Sequence, residues 1–123
     1  MPAQAPEEAS IIIVGGGVIG CSLAYHLGEL GQKDVLLLER KQLTCGTTWH
    51  AAGLVAQLRA TRNLTQLAKY SADLYANLEA KTELATGYKQ TGSVSLALTK
   101  ERLEELKRNV AMASIFGVEA EML

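Results

Sequence analysis

Cysteine, histidine, proline and aromatic residues are scarce. The 123 residues include two cysteines, two histidines, two prolines, one tryptophan and one phenylalanine. Cys21 and Cys45 form no CxxC pair and are too few for a disulfide framework, so a reducing compartment is the simplest setting. His26 and His50 share no ligand spacing with the cysteines, so no metal site is expected. Neither sign of charge dominates: 12 Lys and Arg face 13 Asp and Glu, for a formal net charge of -1. There is no basic stripe and no aromatic-plus-basic cluster, so nucleic acid is not an expected partner.

A long uninterrupted apolar helix is also missing. Ile11 to Gly28 contains no Asp, Glu, Lys or Arg, and at 18 residues it must be weighed as a membrane span or signal. It follows Glu7 and Glu8 instead of basic residues. It is broken by Gly15, Gly16, Gly17 and Gly20, and it carries Ser22, Tyr25 and His26. A buried strand followed by a helix explains the run better, and no membrane is expected. Hydrophobic residues at 48% and charged residues at 20% fit one small soluble domain with a modest core.

Residues 1–10 read as a disordered tail. Ile11 to Val14 is a β-branched run, as a strand buried on both faces requires. A helical pattern starts at Val18, with Ile19, Leu23, Leu27 and Leu30 expected to face a sheet and Gly31 expected to end it. Val35 to Leu38 is a second strand, closed by Glu39 and Arg40. Residues 44–53 read as a loop. A long helix is expected over roughly 64–84, with Leu64, Leu67, Ala68, Leu74 and Leu78 on one side. Val94, Leu96 and Leu98 alternate with Ser93, Ser95 and Ala97, as in a half-buried strand. Thr99 is a good N-cap for a charged helix carrying Leu103, Leu106 and Val110, which Gly117 would end. The fold class is therefore α/β. A Rossmann-like dinucleotide-binding βαβ unit is followed by a long helix and the start of an α+β domain. A single βαβ unit leaves sheet edges exposed, so the chain is expected to be an incomplete fragment.

Gly15, Gly17 and Gly20 spell GxGxxG. The first glycine permits the tight turn, the second lets backbone approach a pyrophosphate, and the third lets helix and strand pack closely. Val18 and Ile19 line the turn and would meet a cofactor chiefly through backbone. The helix N-terminus attracts phosphate through its free N–H groups and its dipole. A lone GxGxxG is weak evidence, but here a strand precedes it and a helix follows. Glu39 ends the second strand 19 residues beyond Gly20, where a carboxylate accepts hydrogen bonds from an adenosine ribose. Arg40 beside it could accommodate a phosphate, although Glu39 disfavours NADP. These features do not separate FAD from NAD.

The segment Thr44 to Leu54 begins where ligands lie in a doubly wound fold. Its small residues allow close approach, Thr47 and Thr48 offer hydroxyls and N–H groups, and Trp49 offers a flat apolar wall. GxGxxG, Glu39-Arg40 and above all LTCGTTWHAAGL resemble the dimethylglycine dehydrogenase and sarcosine dehydrogenase family. The likeness continues through TGYKQTGSVSLAL and ERLEELKRNVAMASIFGVEAEML, and covers nearly all of the chain after the tail. Taken alone, a loop histidine is most simply an exposed or capping residue. The resemblance instead places on His50 a covalent bond to the flavin of FAD, and it brings Leu54 into the same binding element. His26, mid-helix, is read as structural, and Cys21 and Cys45 as packing residues.

The resemblance implies a first part of an FAD-binding domain over 11–85 and the start of a substrate domain over 86–123. It implies oxidation of a small N-methyl amine such as dimethylglycine or sarcosine. Oxygen or an electron-transferring flavoprotein would be the electron acceptor. Tetrahydrofolate would belong to a C-terminal part outside this sequence. No catalytic acid or base is assigned. A non-catalytic regulatory member of the same family is one alternative, though retention of His50 speaks against it. A plain NAD-binding Rossmann domain is another, and it leaves GTTWHAAGL unexplained. The tail has no basic amphipathic pattern, which points to a cytoplasmic protein over a mitochondrial one. The 123-residue chain alone is expected not to turn over dimethylglycine or sarcosine; demethylation by the pure chain in a formaldehyde assay would contradict this.

Overall fold

The structure is a computed structural model and describes residues 6–123. It divides into two compact units, one ending at Gly53 and one spanning Leu54–Leu123. Residues 1–5 of the expected tail lie outside the described residues. Ser10, at the end of that tail, is not loose: its N–H and its hydroxyl both donate to Asp34 Oδ2, at 2.7 and 2.5 Å.

The first unit is a βαβ crossover. Strand β1 (Ile11–Val14) pairs in parallel with β2 (Val35–Leu38), in the register Ile11↔Val35 to Val14↔Leu38. Parallel strands cannot be joined by a tight turn, and helix α1 (Val18–Glu29) makes the connection. Gly31, at φ +83°, lets the chain turn after α1. Its N–H donates to Gly28 O, and Gln32 N–H donates to Leu27 O, which satisfies two carbonyls of the last turn.

Two expectations about this unit are corrected. β1 is covered on one face only: Ile13 is buried, while Ile12 and Val14 are exposed. The described residues supply one helix layer, and α1 fills it on the Ile13 side. The inward face of α1 is only partly the one expected, since Leu27 alone of the four leucine and isoleucine positions turns in. Ile19, Leu23 and Leu30 are exposed, and the helix turns Gly20, Ala24 and Leu27 inward. Gly20 decides this. A Cβ built on it would sit 1.9 Å from Gly15 O and 3.3 Å from Ile13 Cγ2. The helix therefore approaches the loop at a residue without a side chain, which rotates the larger apolar residues away.

In the second unit, α2 (Arg62–Thr82) and α3 (Lys100–Phe116) pack together. Thr61 caps α2 by accepting from Leu64 N–H, and Thr99 caps α3 by accepting from Arg102 N–H. The buried stripe on α2 runs through Thr65, Ala68 and Ala72; Leu64 and Leu67, expected inside, are exposed. Small residues let the helices come close, and Ala113 of α3 is fully buried against this unit's core. Lys69 Nζ donates to Gly117 O at the left-handed end of α3. Thr65 Oγ1 accepts from Arg59 N–H and donates to Arg59 O, fixing the approach to α2. Tyr75 stacks on Tyr88.

The strand expected around 94–98 does not form. Val94, Leu96 and Leu98 are highly exposed and the backbone is irregular. Alternation states which residues would share a face, but a strand exists only when its N–H and C=O groups find a neighbour. Among the described residues none pairs with this segment. No helix among the described residues is long and apolar enough to cross a membrane.

Two glycines of α1 should respond to alanine with opposite signs. Gly20→Ala drives a methyl into Gly15 O and should cost about 3 kcal/mol or more. Gly28→Ala meets nothing within 4 Å and should stabilise by about 0.5–1 kcal/mol. Urea unfolding midpoints of the two variants check both signs.

Candidate cofactor-binding site

A cavity of about 860 Å³ opens in the first unit, bounded by β1, the glycine loop, the start of α1 and the segment that leaves β2. Its shape follows from how that segment is held. After β2 the chain folds back over the glycine loop, and Gly16 is the point of attachment. Gly16 N–H donates to Glu39 Oε2 at 2.8 Å, and Gly16 O accepts from Thr44 N–H at 2.7 Å. Cys21 Sγ–H donates to the same carbonyl at 3.5 Å. The contact is so close that a Cβ on Gly16 would lie 2.5 Å from Leu43 Cδ2 and 3.0 Å from Glu39 Cβ. Thr44 adopts φ +62°, a conformation unusual for a β-branched residue, at the point where the segment closes on Gly16.

Glu39 lines the cavity. Its second oxygen, Oε1, accepts from Lys41 N–H at 2.8 Å. The two backbone donors, Gly16 first and Lys41 second, hold its carboxyl below the ordinary value of 4.5, with a smaller contribution from the Arg40 charge. A carboxylate has about four acceptor positions, and these bonds use two. The rest can accept from vicinal hydroxyls such as those of a ribose.

The N-terminus of α1 lines the same cavity. The first N–H groups of a helix have no partner within it. The first turn of α1 holds no acidic residue, and its dipole favours an anion. Gly17, the N-cap, has no side chain to satisfy these donors. Thr48 supplies the missing oxygen from the other loop: its Oγ1 accepts from Val18 N–H at 2.9 Å. The cavity is therefore lined both by carboxylate acceptors and by backbone donors. That combination suits a ribose linked to a diphosphate.

Gly15, Gly17, Val18, Ile19, Gly20, Glu39, Arg40, Thr47 and Thr48 all line this cavity. Trp49 and His50 lie outside its lining, exposed in a short 3-10 turn, Thr47–His50, within the segment expected to be a loop. Leu54 is exposed and falls in the second unit. Lys41, which carried no role in the sequence reading, also borders the cavity, as do Thr44, Cys45, Gly46 and Ala51 of the segment expected to approach a ligand. Gly16 carried no role either, although a third consecutive glycine, at the x position of the motif, was a visible signal. His26 Nδ1 bonds Ser22 O one turn back, at 2.7 Å. Cys45 is exposed.

Comparison with known proteins agrees with this geometry. Residues 10–123 match the family described as FAD dependent oxidoreductase. The chain is 45% identical over 118 residues to the 4-methylaminobutanoate oxidase (formaldehyde-forming) of Paenarthrobacter nicotinovorans, covering 96% of this chain and 14% of that protein. It is 45% identical over 106 residues to mitochondrial dimethylglycine dehydrogenase of Rattus norvegicus, covering 86% and 12%. It is 41% identical over 118 residues to the mitochondrial pyruvate dehydrogenase phosphatase regulatory subunit of Mus musculus, covering 96% and 13%. Among solved structures, L-proline dehydrogenase from P. horikoshii superposes with a TM-score of 0.83 at 26% identity, over 92% of this chain and 29% of that one. The chain thus spans about one seventh of the length of the first of these relatives.

The Glu39 bonds make stability depend on pH with a defined sign. A carboxyl lowered on folding stabilises fully above its unfolded value near 4.5, and the contribution is lost as pH falls through the lowered folded value. The difference in unfolding midpoint between the native protein and Glu39→Gln should be constant above about pH 6 and shrink toward zero in acid. A difference that grows on acidification would contradict the assignment.

Proposed function

The chain belongs to the FAD dependent oxidoreductase family, and from that premise we propose that its protein oxidises a small N-methyl amine of the dimethylglycine or sarcosine kind. Relatives 45% identical are named for 4-methylaminobutanoate and for dimethylglycine, amines that carry both an N-methyl group and a carboxylate. When bound, FAD supplies the two-electron acceptor for hydride from the N-methyl carbon, leaving an iminium that water converts to demethylated amine and formaldehyde.

The residues of this chain bind and orient. The start of α1 and the glycine loop receive the diphosphate, and Glu39 accepts from the adenosine ribose. Thr47 and Thr48 present hydroxyls beside the diphosphate. Trp49 offers an apolar wall, and His50 is the residue bonded to the flavin, a neutral imidazole being a competent nucleophile toward an oxidised flavin. The observation that carries the FAD reading is the match of residues 10–123 to the FAD dependent oxidoreductase family, and the cavity lined by Glu39 and the start of α1 fits the ADP part of that cofactor.

A second reading has a specific observation in its favour. The pyruvate dehydrogenase phosphatase regulatory subunit matches over the same 96% of the chain at 41% identity, so similarity alone does not choose between a catalytic and a regulatory protein. His50 favours the enzyme, because a purely regulatory protein has no use for a flavin attachment point.

The natively expressed protein, run on a denaturing gel, should give a flavin-fluorescent band, and His50→Ala should give none. A fluorescent variant would move the attachment elsewhere. A dark wild type whose denatured supernatant holds FAD would leave the cofactor and remove the covalent bond. A protein devoid of flavin in both fractions would favour the regulatory reading.

A further inference from the structure

We propose that Thr48 is a positioning residue: its hydroxyl latches the Thr47–His50 turn to the start of α1, coupling flavin attachment at His50 to seating of the cofactor on the glycine loop. The inference rests on the reading of His50 given above.

Thr48 is half-buried, whereas Thr47, Trp49 and His50 are exposed. The turn's own backbone bonds are local: Trp49 N–H to Gly46 O at 3.1 Å and Ala51 N–H to Thr48 O at 3.2 Å. The bond from Val18 N–H to Thr48 Oγ1 spans 30 residues and ties the turn to α1. Gly17 is matched to it. A Cβ at Gly17 would stand 3.2 Å from Thr48 Oγ1, so the same missing side chain that leaves α1 without a local cap makes room for this distant one. A hydroxyl that accepts one hydrogen bond keeps its own proton to donate. Thr48 can therefore accept from Val18 and donate to an anionic oxygen at the helix N-terminus. Such a diphosphate would tighten the turn that carries His50 two residues further on.

The test uses the full protein with saturating FAD and two variants. Thr48→Val keeps the shape and loses the acceptor; Thr48→Ser keeps the acceptor. Two quantities are read: amide hydrogen exchange over residues 44–51 and the rate at which denaturation-resistant flavin fluorescence appears. Thr48→Val should speed exchange and slow attachment, each about tenfold, the scale of one lost capping bond. Thr48→Ser should stay within about twofold of wild type on both, as expected where serine and threonine cap alike. Wild-type attachment kinetics in Thr48→Val would overturn the coupling. Equal impairment of both variants would overturn the role of the hydroxyl. A wild type that never binds flavin covalently would defeat the His50 reading and the coupling. The latch would then be decided by exchange alone: loosening in Thr48→Val rescued in Thr48→Ser supports it, and no loosening overturns it.

Discussion

The peptide group of Gly16 is held from both sides, and the geometry of the site depends on it. Its N–H is fixed by the Glu39 carboxylate at 2.8 Å and its carbonyl by Thr44 N–H at 2.7 Å. A strand followed by a glycine turn needs no such clamp to start a helix. The clamp adds a second layer, because the chain leaving β2 is bent back until it rests on the loop that will face a diphosphate. Glu39 thereby sits beside the loop that leads into α1. In the proposed function, the carboxylate that would take ribose hydroxyls is also the one that braces the glycine loop.

Each glycine of the loop closes a different approach. Gly20 admits the helix to the loop carbonyl of Gly15, Gly16 admits the returning chain, and Gly17 admits the Thr48 hydroxyl. Glycine at the N-cap leaves α1 without a local capping bond, a deficit of roughly a few tenths of a kcal/mol. Thr48 offsets it from a segment distant in sequence. The result is a cavity lined by backbone donors and by a carboxylate, formed within the first unit.

The βαβ order, the glycine motif and the strand-ending Glu39 were legible in the sequence because each rests on local features: β-branched runs, glycine spacing and the length of a crossover. The inward face of α1 was legible only in part, because helical periodicity ranks residues by hydrophobicity, while the face is set by a steric approach at Gly20. The buried stripe of α2 misled for the same reason: Thr65 and Ala72 are inside because they are small. The alternation at 94–98 promised a strand that finds no pairing neighbour among the described residues. Gly16 was visible as a glycine at a motif position that the motif treats as free, which gives it no role by itself. The Thr48 bond to Val18 joins residues 30 apart, and no periodicity reports such a pair. Cys21 was read as packing, yet its thiol also points at the clamped carbonyl. The element around His50 was legible by resemblance to a family, and neither spacing nor composition would have raised it above an exposed loop histidine.

The central claim is that this unit holds the ADP end of FAD without dismantling the Gly16 clamp. A crystal structure of the flavin-loaded protein tests it most directly. The account predicts the diphosphate against the backbone N–H groups at the start of α1 and the adenosine ribose at Glu39, with the Gly16–Glu39 and Gly16–Thr44 bonds intact. A flavin bound elsewhere, or one that displaces residues 39–44 from the glycine loop in order to bind, would contradict it.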